Sequence, residues 1–156
     1  MDFEFVKNIK FVIVDVDGVL TDGTIYIDSQ GCETKAFSVL DGTGISFLYR
    51  VSIKTAIISG RNCNAVTHRA KELGIEDVYQ GIKNKLDAYN QLLEKYALRD
   101  EEICYIGDDL IDLPILYRVG FSVAVANASP IVKRQSDYVT KARGGYGAVR
   151  EVAEKI

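Results

Sequence analysis

Apolar residues in this chain fall into short, β-branched runs separated by stretches with helical spacing. The runs are Ile9–Val16, Thr55-Ala56-Ile57-Ile58, Val78-Tyr79, Ile103-Cys104-Tyr105-Ile106 and Phe121-Ser122-Val123-Ala124-Val125. They predict strands, because near-continuous apolar character suits a strand covered on both faces. Helical patterns span Gly44–Val51, Asn64–Leu73, Lys83–Tyr96 and Ile111–Val119, each closing near a turn or a glycine. This βαβα alternation predicts an α/β fold, a doubly wound and mainly parallel sheet with helices on both faces. One segment breaks the rhythm. Thr24-Ile25-Tyr26-Ile27-Asp28 and Cys32-Glu33-Thr34-Lys35-Ala36-Phe37, joined through Ser29-Gln30-Gly31, predict an inserted β-hairpin over residues 24–37, placed to act as a flap. Pro114 and Pro130 suit helix first turns.

Composition narrows the picture. With 156 residues and 47% hydrophobic content, the chain is expected to form one soluble domain over residues 1–156. A formal net charge of -3 with scattered Lys and Arg argues against nucleic acid and anionic membranes as partners. Cys32, Cys63 and Cys104 are an odd, widely spaced set that fits neither a disulfide framework nor a zinc pattern, so they read as reduced thiols. Met1-Asp2-Phe3-Glu4-Phe5-Val6-Lys7 lacks the basic and long apolar regions of an export signal, and no apolar stretch approaches a membrane span. A cytoplasmic location is the expectation.

The chemistry concentrates at predicted strand ends. The first strand ends in Asp15-Val16-Asp17-Gly18, and alternation along an extended chain puts Asp15 and Asp17 on one side. Paired hard oxygen ligands there call for a cation such as magnesium, which usually serves phosphate chemistry. Acids after a strand also cap helices and close turns, so the other strand ends must decide. Ile57-Ile58 leads into Ser59-Gly60-Arg61, where a hydroxyl and backbone N–H groups can hold phosphate oxygens or simply form a turn. Lys85 opens the helix after the third strand, where its charge opposes the helix dipole and calls for an anion, while Lys83 reads as solvated. Ile106-Gly107-Asp108-Asp109-Leu110-Ile111-Asp112 ends another strand in acids, which would repel the first pair without a cation.

The ordered set Asp15-x-Asp17-Gly18, Ser59, Lys85 and Gly107-Asp108-Asp109-x-x-Asp112 resembles the haloacid-dehalogenase superfamily of phosphatases. Within it, Leu20-Thr21-Asp22-Gly23, Asp41-Gly42-x-Gly44-Ile45, Glu72-Leu73-Gly74-Ile75, Tyr79-Gln80-Gly81 and Gly144-Gly145-Tyr146-Gly147-Ala148-Val149-Arg150-Glu151 resemble the small phosphatases of sugar-acid phosphates. The resemblance implies Asp15 as nucleophile, forming an aspartyl phosphate, and Asp17 as general acid and base. It implies Mg2+ held by Asp15, the Asp17 carbonyl and Asp108, with Asp109 and Asp112 in support, and Ser59 and Lys85 on the phosphoryl oxygens. The implied substrate is 3-deoxy-D-manno-octulosonate 8-phosphate, on the strength of Arg61 behind Ser59-Gly60, with nine-carbon sialic-type acid 9-phosphates as the alternative.

The intervals that could hold a cap domain are short, so the resemblance implies a capless fold covered by neighbours in a homo-oligomer, a tetramer in the related enzymes. Gly60, Arg61 and Arg69 are candidates for the substrate and its carboxylate, a guanidinium fork matching that anion. Arg69 reads equally well as a solvated helix face. Gly144 and Gly145 either approach a neighbouring site or link to the last helix. His68 is expected at the surface, and Tyr79 and Tyr105 in the core or at its rim. Two other classes compete. A signalling receiver domain would need its phosphorylated Asp on the third strand, where Gln80-Gly81 stands. A catalytically silent oligomerisation module would not need the full motif set.

Overall fold

The computed structural model describes residues 4–156, with side chains from Val6 onward. The leader reading on Met1-Asp2-Phe3 lies outside the described residues. A six-stranded parallel sheet forms the core: β1 (Phe11–Val14), β4 (Lys54–Ile58), β5 (Asp77–Tyr79), β6 (Ile103–Gly107), β7 (Phe121–Ala124) and β8 (Tyr138–Val139). Their order is β5-β4-β1-β6-β7-β8, so the direction of travel reverses between β1 and β6. Doubly wound sheets bind ligands outside the carboxyl ends at that reversal. Every residue of β1 and β6 is buried, as expected for central strands covered on both faces.

The hairpin of β2 (Tyr26–Ile27) and β3 (Glu33–Thr34) pairs antiparallel as a separate ribbon and follows directly after the β1 loop. Around the sheet lie α1 (Val39–Arg50), α2 (Asn64–Glu72), α3 (Lys85–Tyr96), α4 (Leu113–Leu116), α5 (Pro130–Gln135) and α6 (Ala148–Ala153). Helix α1 packs on α6 and β4, whereas α4 packs on α3, β6 and β7. No cap domain intervenes, since the hairpin alone fills the chain between the β1 loop and α1, and Gln80–Asn84 alone joins β5 to α3. Among the described residues, no helix is long and apolar enough to cross a membrane.

Several boundaries differ from the sequence expectation for physical reasons. Strand β1 stops at Val14, because Asp15 opens a one-turn π-type segment, Val16–Leu20, closed by the Thr21 amide donating to the Val16 carbonyl. Helix α1 starts at Val39 rather than Gly44, capped by the Ser38 hydroxyl accepting from the Leu40 amide. Its apparent breaker, Asp41-Gly42-Thr43-Gly44, is helical, and buried Asp41 accepts from the amides of Gly147, Val149 and Arg150 at 3.2, 2.9 and 3.3 Å, seating the start of α6. Helix α3 starts at Lys85 behind an Asn84 cap, not at Lys83. The Ile111–Val119 pattern resolves into a 3-10 turn, Leu110–Asp112, followed by the four-residue α4. Strand β8 and helix α5 escape the periodicity reading because each is too short to show a period.

Candidate active site

Asp15 follows β1 and Asp108 follows β6, so neighbouring strands deliver both carboxylates to one spot. What lets them meet is Gly18. Its φ of +93° lies in the left-handed region, and a Cβ there would stand 2.0 Å from an Asp108 carboxylate oxygen. The turn that carries Asp17 is held from behind. Asn127 donates to the Gly18 carbonyl at 2.9 Å and accepts from the Gly144 amide at 2.6 Å, while the Gly145 amide donates to the Val19 carbonyl at 2.9 Å. A Cβ on Gly144 would lie 1.7 Å from the Gly18 carbonyl oxygen. Thus the two glycines lie against their own chain's Asp17 loop, where they serve as its backing.

Ligand atoms of Asp15, Asp108 and Asp112 all lie within 4.8 Å of one another. Lys85, itself buried, reaches Asp15 at 2.9 Å and Asp112 at 2.7 Å. The Asp112 oxygens are fully engaged. One accepts from Lys85 and from the Tyr105 hydroxyl at 2.6 Å, the other from the amides of Asp108 and Asp109 at 2.9 and 3.2 Å. Four donors use the four lone-pair directions of a carboxylate. Asp112 therefore braces the β6 loop and Lys85, which leaves Asp15 and Asp108 with oxygens available to a cation.

The electrostatics agree. Burial, with Asp15 and Asp112 adding repulsion, pushes the Asp108 carboxyl up to about 8. Burial also raises Asp15, to about 6, with Lys85 opposing. Lys85 is held above the usual lysine range: burial disfavours its charge, and Asp15 and Asp112 more than offset that. One lysine cannot balance three clustered acids, two buried and Asp108 half-buried. The donor set is all oxygen and uncompensated, which fits a hard divalent cation.

A cleft of about 160 Å³ opens over this cluster, lined by Asp15, Asp17, Ser59, Gly60, Arg61, Asp108, Asp109 and Ile111. Asp15 and Asp17 share it, although the chain turns between them instead of continuing as a strand. Ser59 is buried at the end of β4, and its hydroxyl accepts from the Arg61 amide at 3.3 Å. A roomier cleft of about 450 Å³ lies at the opposite sheet edge around Tyr49, Thr55 and Asp77. Asp77 there is already tied to Lys95 and Tyr96 at 2.7 and 2.6 Å, and Glu76 is exposed and pairs with Lys54 at 3.6 Å, so that cleft gathers no cluster of acids.

Arg69 does not join the cleft. It donates to Glu72 at 2.8 Å and to the Ser38 carbonyl at 3.1 Å, under the start of α1. His68 is exposed. Four contributors escaped the sequence reading. Tyr105 gave a signal, since a tyrosine inside a fully buried strand needs a partner for its hydroxyl. Asn127 gave none. Lys35 and Glu33 come from the hairpin: the Lys35 ammonium pairs with Asp17 and, at 2.7 Å, with Glu33, which also holds Arg61 at 2.8 Å.

Residues 75–151 match the model of the haloacid dehalogenase-like hydrolase family. Over 150 residues, 96% of this chain and 80% of the other, the sequence is 51% identical to the 3-deoxy-D-manno-octulosonate 8-phosphate phosphatase KdsC of Escherichia coli K12. The crystal structure of the Yersinia pestis phosphatase of that name superposes with a TM-score of 0.96 at 48% identity, covering 98% of this chain and 83% of that one. The Moraxella catarrhalis phosphatase, solved with a magnesium ion, a phosphate ion and a KDO molecule, gives 0.95 at 45% identity over 97% and 87%. With a buried carboxylate cluster at the topological switch point and relatives of this identity, the chain belongs to the haloacid dehalogenase-like hydrolases, in the family of the 3-deoxy-D-manno-octulosonate 8-phosphate phosphatases.

Proposed function

We propose that this protein is a magnesium-dependent phosphatase that hydrolyses 3-deoxy-D-manno-octulosonate 8-phosphate through an aspartyl phosphate. The observation that carries the reading is the Asp15–Asp108 pair, a buried and a half-buried acid with oxygens left for a cation beneath a cleft that also holds Asp17 and Ser59. Asp15 attacks phosphorus as the bond from phosphorus to the sugar oxygen breaks, and Asp17 gives that oxygen its proton. Asp17 then takes a proton from the water that hydrolyses the phosphoenzyme, restoring Asp15. Ser59, the nearby backbone N–H groups and Lys85 stabilise the phosphoryl oxygens during transfer. Lys85 also favours the ionised form of Asp15 against its burial, its ammonium being 2.9 Å away. Asp15, Asp108 and the Asp17 carbonyl would hold the magnesium ion, whose chemistry is to offset negative charge as anion meets anion. Asp109 and Asp112 support the Asp108 loop. Gly60 and Arg61 face the substrate, and the acid carboxylate suits the Arg61 fork.

We further propose a cytoplasmic homotetramer. Ile25, Tyr26 and Ile27 of the hairpin, together with Val39, Leu40 and Tyr146, expose apolar surface that a neighbouring copy would cover. Light scattering tests the assembly, and a monomer with full activity would overturn it. For the reaction, phosphate release is measured on the eight-carbon substrate and on nine-carbon acid 9-phosphates, with magnesium and with a chelator. Preference for the eight-carbon compound with loss of activity on chelation is the expected result. Preference for a nine-carbon compound would reassign the substrate, and no release from any phosphate would return the chain to a silent module.

A further inference from the structure

The hairpin does more than cover the cleft. Lys35 stands just past β3, and its side chain is almost fully buried, at 1% exposure. Its ammonium pairs with Asp17 on one side and with Glu33 on the other, the latter at 2.7 Å. Glu33 in turn accepts from Arg61 at 2.8 Å, and Arg61 lines the cleft directly after Ser59-Gly60. A continuous chain of alternating charges, Asp17, Lys35, Glu33 and Arg61, therefore runs from the turn after β1, through the flap, to the loop after β4. Burial holds Lys35 in one geometry, so the ammonium fixes where the Asp17 carboxyl group points.

We propose that Lys35 is a positioning residue, holding the Asp17 carboxyl group where it can pass its proton to the leaving oxygen, and that Glu33 couples this hold to Arg61. This rests on the phosphatase reading above. When the bond from phosphorus to the leaving oxygen breaks, its electron pair stays on that oxygen and the Asp17 proton moves there; an Asp17 side chain free to rotate makes the transfer only part of the time. An anionic group of a substrate that engages Arg61 competes with Glu33 for the guanidinium. Glu33 released from Arg61 is left to Lys35, which draws the ammonium toward it and loosens its grip on Asp17. The flap thereby links occupancy beside Ser59 to the freedom of the acid.

The test compares leaving groups. An alkoxide needs its proton, whereas p-nitrophenolate does not, so loss of positioning must fall on sugar phosphates. In Lys35→Met, kcat on 3-deoxy-D-manno-octulosonate 8-phosphate and on glucose 6-phosphate is expected to fall by about tenfold or more, and kcat on p-nitrophenyl phosphate by less than about threefold. Lys35→Arg should recover part of the difference. Glu33→Gln, on the half-buried face of the ribbon, should show the same signature more weakly, and it keeps the inference testable if the Met variant does not fold. Magnesium affinity by calorimetry should stay as in the parent for every variant. Equal losses on alkyl and aryl phosphates, or a rise in KM alone, would overturn the inference. A parent protein that hydrolyses p-nitrophenyl phosphate and glucose 6-phosphate but not the eight-carbon acid phosphate would instead overturn the substrate, leaving the leaving-group comparison to decide Lys35.

Discussion

The adjacent strands β1 and β6 carry charge at both ends and treat it in opposite ways. At their amino ends, Lys10 and Glu102 form an ion pair of 2.6 Å, reinforced by the Lys10 amide donating to the Glu102 carbonyl at 2.8 Å. Glu102 also accepts from the Arg99 amide at 2.9 Å, and its carboxyl is drawn down to about 2, with the Lys10 hydrogen bond the largest cause. At the carboxyl ends of the same strands stand Asp15 and Asp108, like charges that burial drives upward, to about 6 and about 8. The sheet geometry is common to both ends, so the difference lies in the choice of residues. A satisfied end stabilises the fold; an unsatisfied one keeps charge in reserve for a ligand.

Substitution at Asp15 should give the largest effect on chemistry and a contrary one on stability. Asp15→Asn removes the nucleophile and is expected to cost on the order of 10^4-fold in kcat. Without metal, the same change removes one of the repelling acids, so the thermal midpoint should hold or rise. Activity within tenfold of the parent would remove Asp15 from its role, and a metal-free protein that unfolds much earlier would mean the carboxyl end is not under repulsion.

Lys85 separates the two properties in the other direction. Lys85→Met leaves buried Asp15 and Asp112 without their shared cation, which typically costs about 3–5 kcal/mol, and removing a preorganised phosphoryl contact costs about a hundredfold or more in rate. Denaturant unfolding and single-turnover kinetics read the two losses separately. A variant as stable as the parent would show that Asp112's other donors suffice without the lysine.

How much of this was legible in the sequence depends on whether a residue's role is local. Asp15, Asp17, Ser59 and Asp108 each follow an apolar run and Lys85 opens the helix after one, so a strand-end reading places them at one sheet edge, and the structure does put them there. The parallel sheet was equally visible, since β1, β4 and β6 are runs that only a doubly covered strand explains. Lys35 and Asn127 were not visible. Their partners, Asp17 and Gly18, are set by how the hairpin folds back and how the loop after β7 crosses the site, and no spacing encodes either. Arg69 shows the converse, because an arginine on the helix after the Ser59 loop looks suited to a substrate until the fold gives it the Ser38 carbonyl.

The contrast between the two strand ends should also appear as a function of pH. Asp108 in the folded protein keeps its proton up to about 8, against 3.8 ordinarily, so the folded state binds more protons than the unfolded one across that window. Stability contributed by this group is therefore fully present below 3.8 and is lost as pH rises through about 8. The metal-free thermal midpoint should decline from pH 5 to pH 8, and magnesium, which favours the deprotonated acids, should raise the midpoint more at pH 8 than at pH 5. Asp108→Asn should flatten both trends. A magnesium effect that is the same at pH 5 and pH 8 would mean that Asp108 does not meet the ion.

The smallest effect is expected at the amino end, with the opposite sign. Glu102 is depressed to about 2 from 4.5, so its contribution is present above 4.5 and lost as pH falls toward 2. Its partners Lys10 and Arg99 are 66% and 69% exposed, which leaves the pairing to salt screening and limits its worth. Glu102→Gln should thus make acid unfolding between pH 5 and pH 3 less steep, shift the midpoint only slightly at pH 7, and leave kcat and the magnesium response untouched. The last point carries the weight. The amide keeps an acceptor for Lys10 and Arg99, so a change in catalysis could not come from collapse of the local turn. If Glu102→Gln alters the magnesium response at pH 8, charge at one end of β1 and β6 is felt at the other, and the two ends cannot be treated as separate designs on one pair of strands.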